Sequence, residues 1–243
     1  MEFDTEDQVL LPHKNFKTQE HLNEISRWTE NNLMQLNTEK SKYMIFNFTD
    51  KYQFNTRLSL ENNLLKQVRQ DSLLGVVISD DLRWESNTDF IVKKAYKRMI
   101  ILQNLFKFGL PVEELVQIYI LYIRSVVENS AVVWHSSLTV GEKVAIERIQ
   151  KVALKIILNE QYEGYSMALK VTGLPTLNER RLILCKKFAV KCIKNQKTCH
   201  MFPLNTENSA NTRHHEKFFV QPARTERLKN SAIPFMQRLL NSM

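Results

Sequence analysis

Cysteine, glycine and proline are all scarce in this chain. Three cysteines, an odd number, give no basis for a disulfide framework. They fit a reducing intracellular compartment, cytoplasmic or nuclear. Five glycines and six prolines argue against an all-β fold rich in tight turns and against a low-complexity chain. No long apolar run goes uninterrupted. The most apolar stretch, residues 115–134, contains Arg124, Glu128 and Asn129, which predicts a buried core helix and no membrane span. The first seven residues, Met1 to Asp7, are acidic where a secretory signal is basic and then apolar, so no signal peptide is expected. A glycine-rich phosphate loop, a dinucleotide fingerprint and a Ser-His-Asp order are also missing. Cys185, Cys192, Cys199 and His200, with His214 and His215 beyond, lack the paired Cys-x-x-Cys spacing of a zinc site. They predict buried thiols, and no metal site is assigned.

What is present is enough apolar residue for a sizeable core, 43% of 243 residues, and an uneven charge. Residues 1–85 carry 10 Lys/Arg against 14 Asp/Glu, residues 86–200 carry 18 against 9, and residues 201–243 carry 6 against 3. The basic surplus lies in the middle of the chain. It has two readings, a polyanionic partner such as nucleic acid or a solvated basic surface.

The pattern changes character at Ser72-Leu73-Leu74-Gly75-Val76-Val77-Ile78-Ser79-Asp80-Asp81. This run reads as a short buried strand closed by an Asp pair. Before it, Thr18 caps a helix over 19–34, with Leu22, Ile25, Trp28 and Leu33 toward one face and Trp28 in the core. Strands are expected at Tyr43–Phe48, at Phe54–Leu60 and around Leu64–Val68, forming with Leu73–Ile78 a small, largely antiparallel sheet. After it, helical periods predict helices from Ser86 or Asn87 to Phe106, over 112–135, 142–158 and 165–171, and from Leu177 to Lys194. The segment Asn205–Asn211 is polar and expected to be mobile, while Phe218–Val220 and a helix near Phe235–Leu240 are expected to dock back. The fold class is therefore α+β, mainly α. Three regions are expected: a helix and small sheet over 1–85, a helical body over 86–200, and a partly irregular tail over 201–243.

Four separated pieces stand in order along the chain. They are Trp28 and Asn32 with Met34–Lys42; Leu74-Gly75-Val76 with Leu82 and Trp84; Tyr122–Glu128 with Val133-Trp134; and Glu147–Lys151 with Leu174–Leu177 and Arg180-Arg181. Together they span roughly residues 19 to 204, and the set resembles the end of the palm, the thumb and the following helical region of non-LTR (LINE-like) retrotransposon reverse transcriptases. The resemblance implies a portion of an RNA-directed DNA polymerase. The full family enzyme uses Mg2+ held by carboxylates, one earlier in the palm and an Asp pair on a hairpin loop.

The family's aromatic-x-Asp-Asp loop is expected just before residue 10, where Phe3-Asp4-Thr5-Glu6-Asp7 is acidic but misspaced. The chain is accordingly expected to be the back portion of such an enzyme, inactive alone, with no catalytic residue and no cofactor of its own. Asp80-Asp81 is expected to close a strand and turn the chain. The resemblance places Lys40 where an ammonium protonates the leaving pyrophosphate, next to Lys42, and places Leu74 and Gly75 at the primer-contacting end of the palm.

The expected partners are RNA, DNA or an RNA–DNA hybrid. Candidate phosphate contacts are Lys93, Lys94, Lys97 and Arg98; Arg148, Lys151 and Lys155; and Arg180, Arg181, Lys186, Lys187 and Lys191, in a run to Lys197 that holds no acidic residue. A solvated helix face is the alternative for each. A helical protein-interaction module or a non-functional transposon remnant is the alternative for the whole chain. An incomplete sheet would also leave an edge open to self-association.

Overall fold

The computed structural model describes residues 13–48, 57–205 and 217–242. The chain divides into two units, Met1–Arg83 and Trp84–Met243. It is mainly helical with few strands, an α+β chain of predominantly α character.

The first unit carries helix α1 (His13–Asn31) and six short strands: β1 (Lys42–Tyr43), β2 (Ser59–Leu60), β3 (Asn63–Leu64), β4 (Lys66–Gln67), β5 (Gln70–Leu73) and β6 (Val76–Ser79). In place of the expected small, largely antiparallel sheet, the described residues form three two-stranded ladders, and the start of the strand expected at Phe54–Leu60 lies outside the described residues. β1 pairs with β4 in parallel, while β2 with β3 and β5 with β6 are antiparallel. The run read as one buried strand is a hairpin. Leu73 pairs with Val76, and Leu74 and Gly75 form the two-residue turn at φ of 50° and 80°. Two successive positive φ values match the twist of the flanking strands, which is why such turns close tight hairpins. Glycine adopts this geometry freely, whereas Leu74 is strained in it and projects fully into solvent.

Helix α1 begins earlier than expected, so Thr18 lies inside it. Its expected core face is open: Trp28 is 58% exposed, and Ile25 and Leu33 are exposed as well. Among the described side chains of the helix only Thr29 is buried. Its side chain bonds Ser26 O, and Gln19 ties the helix to β2 through both the N–H and the C=O of Ser59.

The second unit is a helical body. Its elements are α2 (Glu85–Lys107), α3 (Val112–Ile118), a π-helical stretch (Tyr119–Arg124), α4 (Ser125–Glu128), α5 (Ala131–Trp134), α6 (Val140–Leu158), α7 (Tyr165–Thr172), α8 (Leu177–Lys194), α9 (Glu226–Lys229) and α10 (Ala232–Asn241). The stretch expected as one helix over 112–135 has two irregularities. The π turn sits in its middle, and Ser130 at φ 51° breaks it before α5. A π turn places one extra residue in the helical ladder. Here Tyr119 and Ile123 face the core while Leu121 and Tyr122 face outward.

The core gathers Ile91, Ala95, Met99 and Leu102 of α2, Leu115 of α3, Val127 of α4, and Ile146, Ile149, Ala153 and Leu154 of α6. Helices α6 and α8 both start on capping boxes, Thr139 with Glu142 and Thr176 with Glu179, each satisfying two otherwise unpaired backbone N–H groups. The tail docks as expected. Phe218 and Met236 join Cys185, Ala189, Cys192 and Phe202 in one cluster, and Asn241 clamps both the N–H and the C=O of Phe218. The segment expected to be mobile lies, beyond Asn205, outside the described residues, as does the acidic start around Phe3–Asp7. Among the described residues no helix is long and apolar enough to cross a membrane.

Candidate nucleic-acid interface

The candidate cations fall on four places, and the fold treats them differently. In the first unit, Lys40 is exposed, and its backbone N–H donates to Asn37 Oδ1 at 2.9 Å. Lys42 is paired, with its Nζ 3.0 Å from Asp71 Oδ2, and that hydrogen bond holds the Asp71 carboxyl below its usual range. Leu74 and Gly75 sit at the exposed hairpin tip. Asp80 and Asp81 are engaged locally. Asp80 pairs with Arg69 at 3.1 Å, and Asp81 Oδ1 accepts Ser79 Oγ at 2.7 Å and the Arg83 N–H at 3.0 Å. This is turn chemistry.

In the second unit, Lys93, Lys94 and Lys97 are exposed on α2. Arg98 is half-buried, stacks 4.3 Å from the Tyr122 ring centroid and donates to the Tyr122 carbonyl. On α6, Arg148, Lys151 and Lys155 form an exposed stripe. Lys151 lies 5.1 Å over the Tyr165 ring and Lys155 5.5 Å over Tyr162. These rings were not visible as partners in the sequence, because they come from the loop and helix after α6. Each ring holds its ammonium at the surface through a cation–π contact.

On α8 the expected run separates into three kinds of residue. Arg180 is held in a two-pronged bond to Glu128, at 2.8 and 3.4 Å, and Arg124 Nε lies 3.3 Å from the same carboxylate. Arg181 is fully buried, so the expectation that it contacts phosphate is overturned. Its position follows the inner face, in phase with Cys185, Ala189 and Cys192. Lys186 is half-buried, while Lys187 and Lys191 are exposed. Lys194, outside the expected set, completes their stripe at the i, i+4, i+7 spacing, a signal the sequence did carry. Among the described residues none of these three lysines has a carboxylate partner.

Beneath the stripes lies a polar network. The Glu147 carboxylate accepts the N–H groups of Leu177 at 3.0 Å and Asn178 at 3.2 Å, along with the Tyr165 hydroxyl. With the capping box, this satisfies the first four donors at the start of α8. Burial first, and then the bond to Glu147, raise the Tyr165 pKa. Gln150 accepts from the Tyr119 hydroxyl at 2.6 Å and donates to Pro175 O at 2.9 Å.

Arg181 Nε donates to His135 Nδ1 at 3.2 Å, and its guanidinium lies 6.0 Å from the Trp134 ring. Among the described residues its two terminal nitrogens have no hydrogen-bond partner. Accepting that bond requires the neutral imidazole with its proton on Nε2. Burial, then Arg181, then Lys143 push the His135 pKa down to about 4.

The pH dependence follows from that histidine. The unfolded imidazole takes up a proton near pH 6.5 and the folded one only near pH 4. Its contribution is therefore complete above about pH 6.5 and is lost as pH falls toward 4, by roughly 3 kcal/mol in all. Urea unfolding at pH 7 and pH 4.5 measures the drop, and His135→Gln, which keeps an acceptor for Arg181, is expected to flatten it. Arg181 supplies a second expectation. Arg181→Met removes a buried charge with unfilled donors and raises unfolding stability by about 1 kcal/mol. It leaves nucleic-acid affinity unchanged, which a binding titration of the variant checks.

Cys185 and Cys192 are buried in the α8–α10 cluster, and burial pushes the Cys185 thiol up to about 11. Cys199 is exposed. Among the described residues no three His, Cys, Asp or Glu side chains gather as a metal site. No known protein family, curated protein or solved structure matches the chain.

Proposed function

We propose that the chain corresponds to the end of the palm, the thumb and the following helical region of a non-LTR retrotransposon reverse transcriptase. In this reading its helical body binds RNA, DNA or an RNA–DNA hybrid through the phosphate backbone, in the cytoplasm or nucleus. The observation that carries the binding is the stripe Lys187, Lys191 and Lys194 on α8, exposed and without carboxylate partners among the described residues. The second stripe, Arg148, Lys151 and Lys155 on α6, presents its cations over tyrosine rings. Cations at helical spacing meet phosphates without reading base identity, so binding is sequence-independent.

Two of the pieces that carry the resemblance meet in the fold. Glu128 and Trp134 lie in one of them, and Glu147, Gln150, Pro175, Leu177, Arg180 and Arg181 in another. In the fold they are partners: Glu128 with Arg180, Trp134 beside Arg181, Glu147 with Leu177, Gln150 with Pro175. Residues that resemble the family at separate places in the sequence thus build one structural joint.

No polymerase chemistry is assigned in this reading, because the aromatic-x-Asp-Asp loop of the family has no counterpart just before residue 10, where Phe3-Asp4-Thr5-Glu6-Asp7 is misspaced. The test is binding of the purified chain to an RNA–DNA hybrid, a DNA duplex and single-stranded RNA across a salt series. Affinity that falls steeply with salt on all three supports the reading. Weak binding that salt does not change replaces it with the protein-interaction alternative.

A further inference from the structure

We infer that the outward face of α2 docks an acidic, amphipathic protein segment, an interaction separate from the phosphate grip of α6 and α8. The inner face of α2, Ile91, Ala95, Met99 and Leu102, is locked into the core. Opposite it, Phe90, Lys93, Lys94, Lys97, Ile100, Ile101, Asn104 and Phe108 share one side of the helix and its end, and all are exposed. That strip runs about 27 Å.

Its two halves differ. The N-terminal half carries the three lysines. The C-terminal half carries Ile100, Ile101 and Phe108, of which Ile100 is 58% and Phe108 81% exposed. Leu121 and Tyr122, exposed on the π turn packed against α2, adjoin this helix where Arg98 stacks on Tyr122.

Charge complementarity selects the occupant. Of the two acids in α2, Glu85 lies off this face, about 120° around the helix from Lys97, while Asp89 stands at its edge, about 80° away and one turn before Lys93, so the three lysines outnumber it. Carboxylates at one end of a partner segment would meet the lysines, and apolar side chains at its other end would cover Ile100, Ile101 and Phe108. A nucleic-acid backbone has nothing to lay on that apolar half. A second copy of the same face offers its three lysines only the edge carboxylate of Asp89. An exposed apolar cluster bordered by charge of one sign is the usual mark of a protein contact.

The probe is a labelled 18-residue helical peptide with glutamates on one face of its N-terminal half and leucines on the same face of its C-terminal half. A peptide of the same composition in scrambled order is the control. Anisotropy with the full chain is expected to show at least ten-fold tighter binding of the patterned peptide. Lys93→Glu with Lys97→Glu, and separately Ile101→Ser with Phe108→Ser, each weaken it at least ten-fold. All four positions are exposed, and an unchanged thermal melt confirms that the variants fold. Affinity for an RNA–DNA hybrid is expected to be indifferent to the Ile101→Ser and Phe108→Ser pair.

Equal binding of patterned and scrambled peptides overturns the inference. So does a peptide affinity that ignores the apolar pair. A dimer in solution that Phe108→Ser dissociates would make a second copy the occupant, and binding to anionic vesicles that the apolar pair abolishes would make it a lipid surface. Either result also overturns the inference. None of these outcomes touches the phosphate reading, which rests on α6 and α8.

Discussion

Glu147→Leu is expected to lower unfolding stability by about 3 kcal/mol, measured by urea denaturation at pH 7. Three groups lose their acceptor at once: the N–H of Leu177, the N–H of Asn178 and the Tyr165 hydroxyl. A hydrogen bond to a charged acceptor contributes about 1.5–3 kcal/mol, and an abandoned buried donor costs a comparable amount. The carboxylate also faces the positive end of α8, where a negative charge adds a few tenths to about 1 kcal/mol. It further lies near enough to oppose the burial that lowers the Arg181 pKa. Leucine keeps the volume and removes all of this. Glu147→Gln retains one acceptor oxygen and is expected to cost about 1 kcal/mol. A loss below about 1 kcal/mol for Glu147→Leu would mean that α8 is held by its apolar face alone.

Trp134→Ala is expected to cost about 4 kcal/mol in the same assay. The indole is completely buried, and deleting a buried aromatic of this size leaves a cavity worth 3–5 kcal/mol. Two local terms add to the cavity. The ring Nε1–H donates to Asn129 O at 3.1 Å, just before the Ser130 break, and so pins the start of α5. The ring also stands beside the Arg181 guanidinium, whose terminal nitrogens have no other partner. Trp134→Phe fills most of the space and loses the Nε1 bond, so a cost of about 1–2 kcal/mol is expected.

Much of the helical body was legible in the sequence. The 3.6-residue period located α2, α6, α7 and α8 to within about two residues. Helix α8 matched at both ends, and α6 started earlier because Thr139 opens a capping box with Glu142. That Thr-x-x-Glu pattern stands in the sequence and could have set the start. The π turn at Tyr119–Arg124 left no such trace, since an apolar run reads the same in either helical form.

The first unit was harder to read. Its hairpin turns on Leu74-Gly75, without the Asn or Asp that usually marks a left-handed pair, so two strands read as one. Trp28 was expected inside because it shares a helix face with Leu22, Ile25 and Leu33, but Ile25, Trp28 and Leu33 are all exposed.

The interface was legible as a set of cations and illegible as a geometry. Composition found the basic run of α8. It did not separate Lys187 and Lys191, which face solvent, from Arg181, which faces the core. Helical phase makes that separation, because Arg181 stands four residues before Cys185 and eight before Ala189. Arg180 was expected to face a phosphate and instead holds Glu128, a partner 52 residues away that no local pattern reveals.

The most direct test of the central claim compares salt slopes. The wild-type chain and a variant with Lys187, Lys191 and Lys194 all changed to alanine are titrated with one RNA–DNA hybrid between low and physiological salt. Each phosphate contact adds about 0.9 to the slope of log affinity against log salt, so the variant is expected to be shallower by about 2–3 units. Its thermal melt should be unchanged, because all three side chains are exposed. Parallel slopes with equal affinity would contradict the claim and leave the α8 lysines as a solvated helix face.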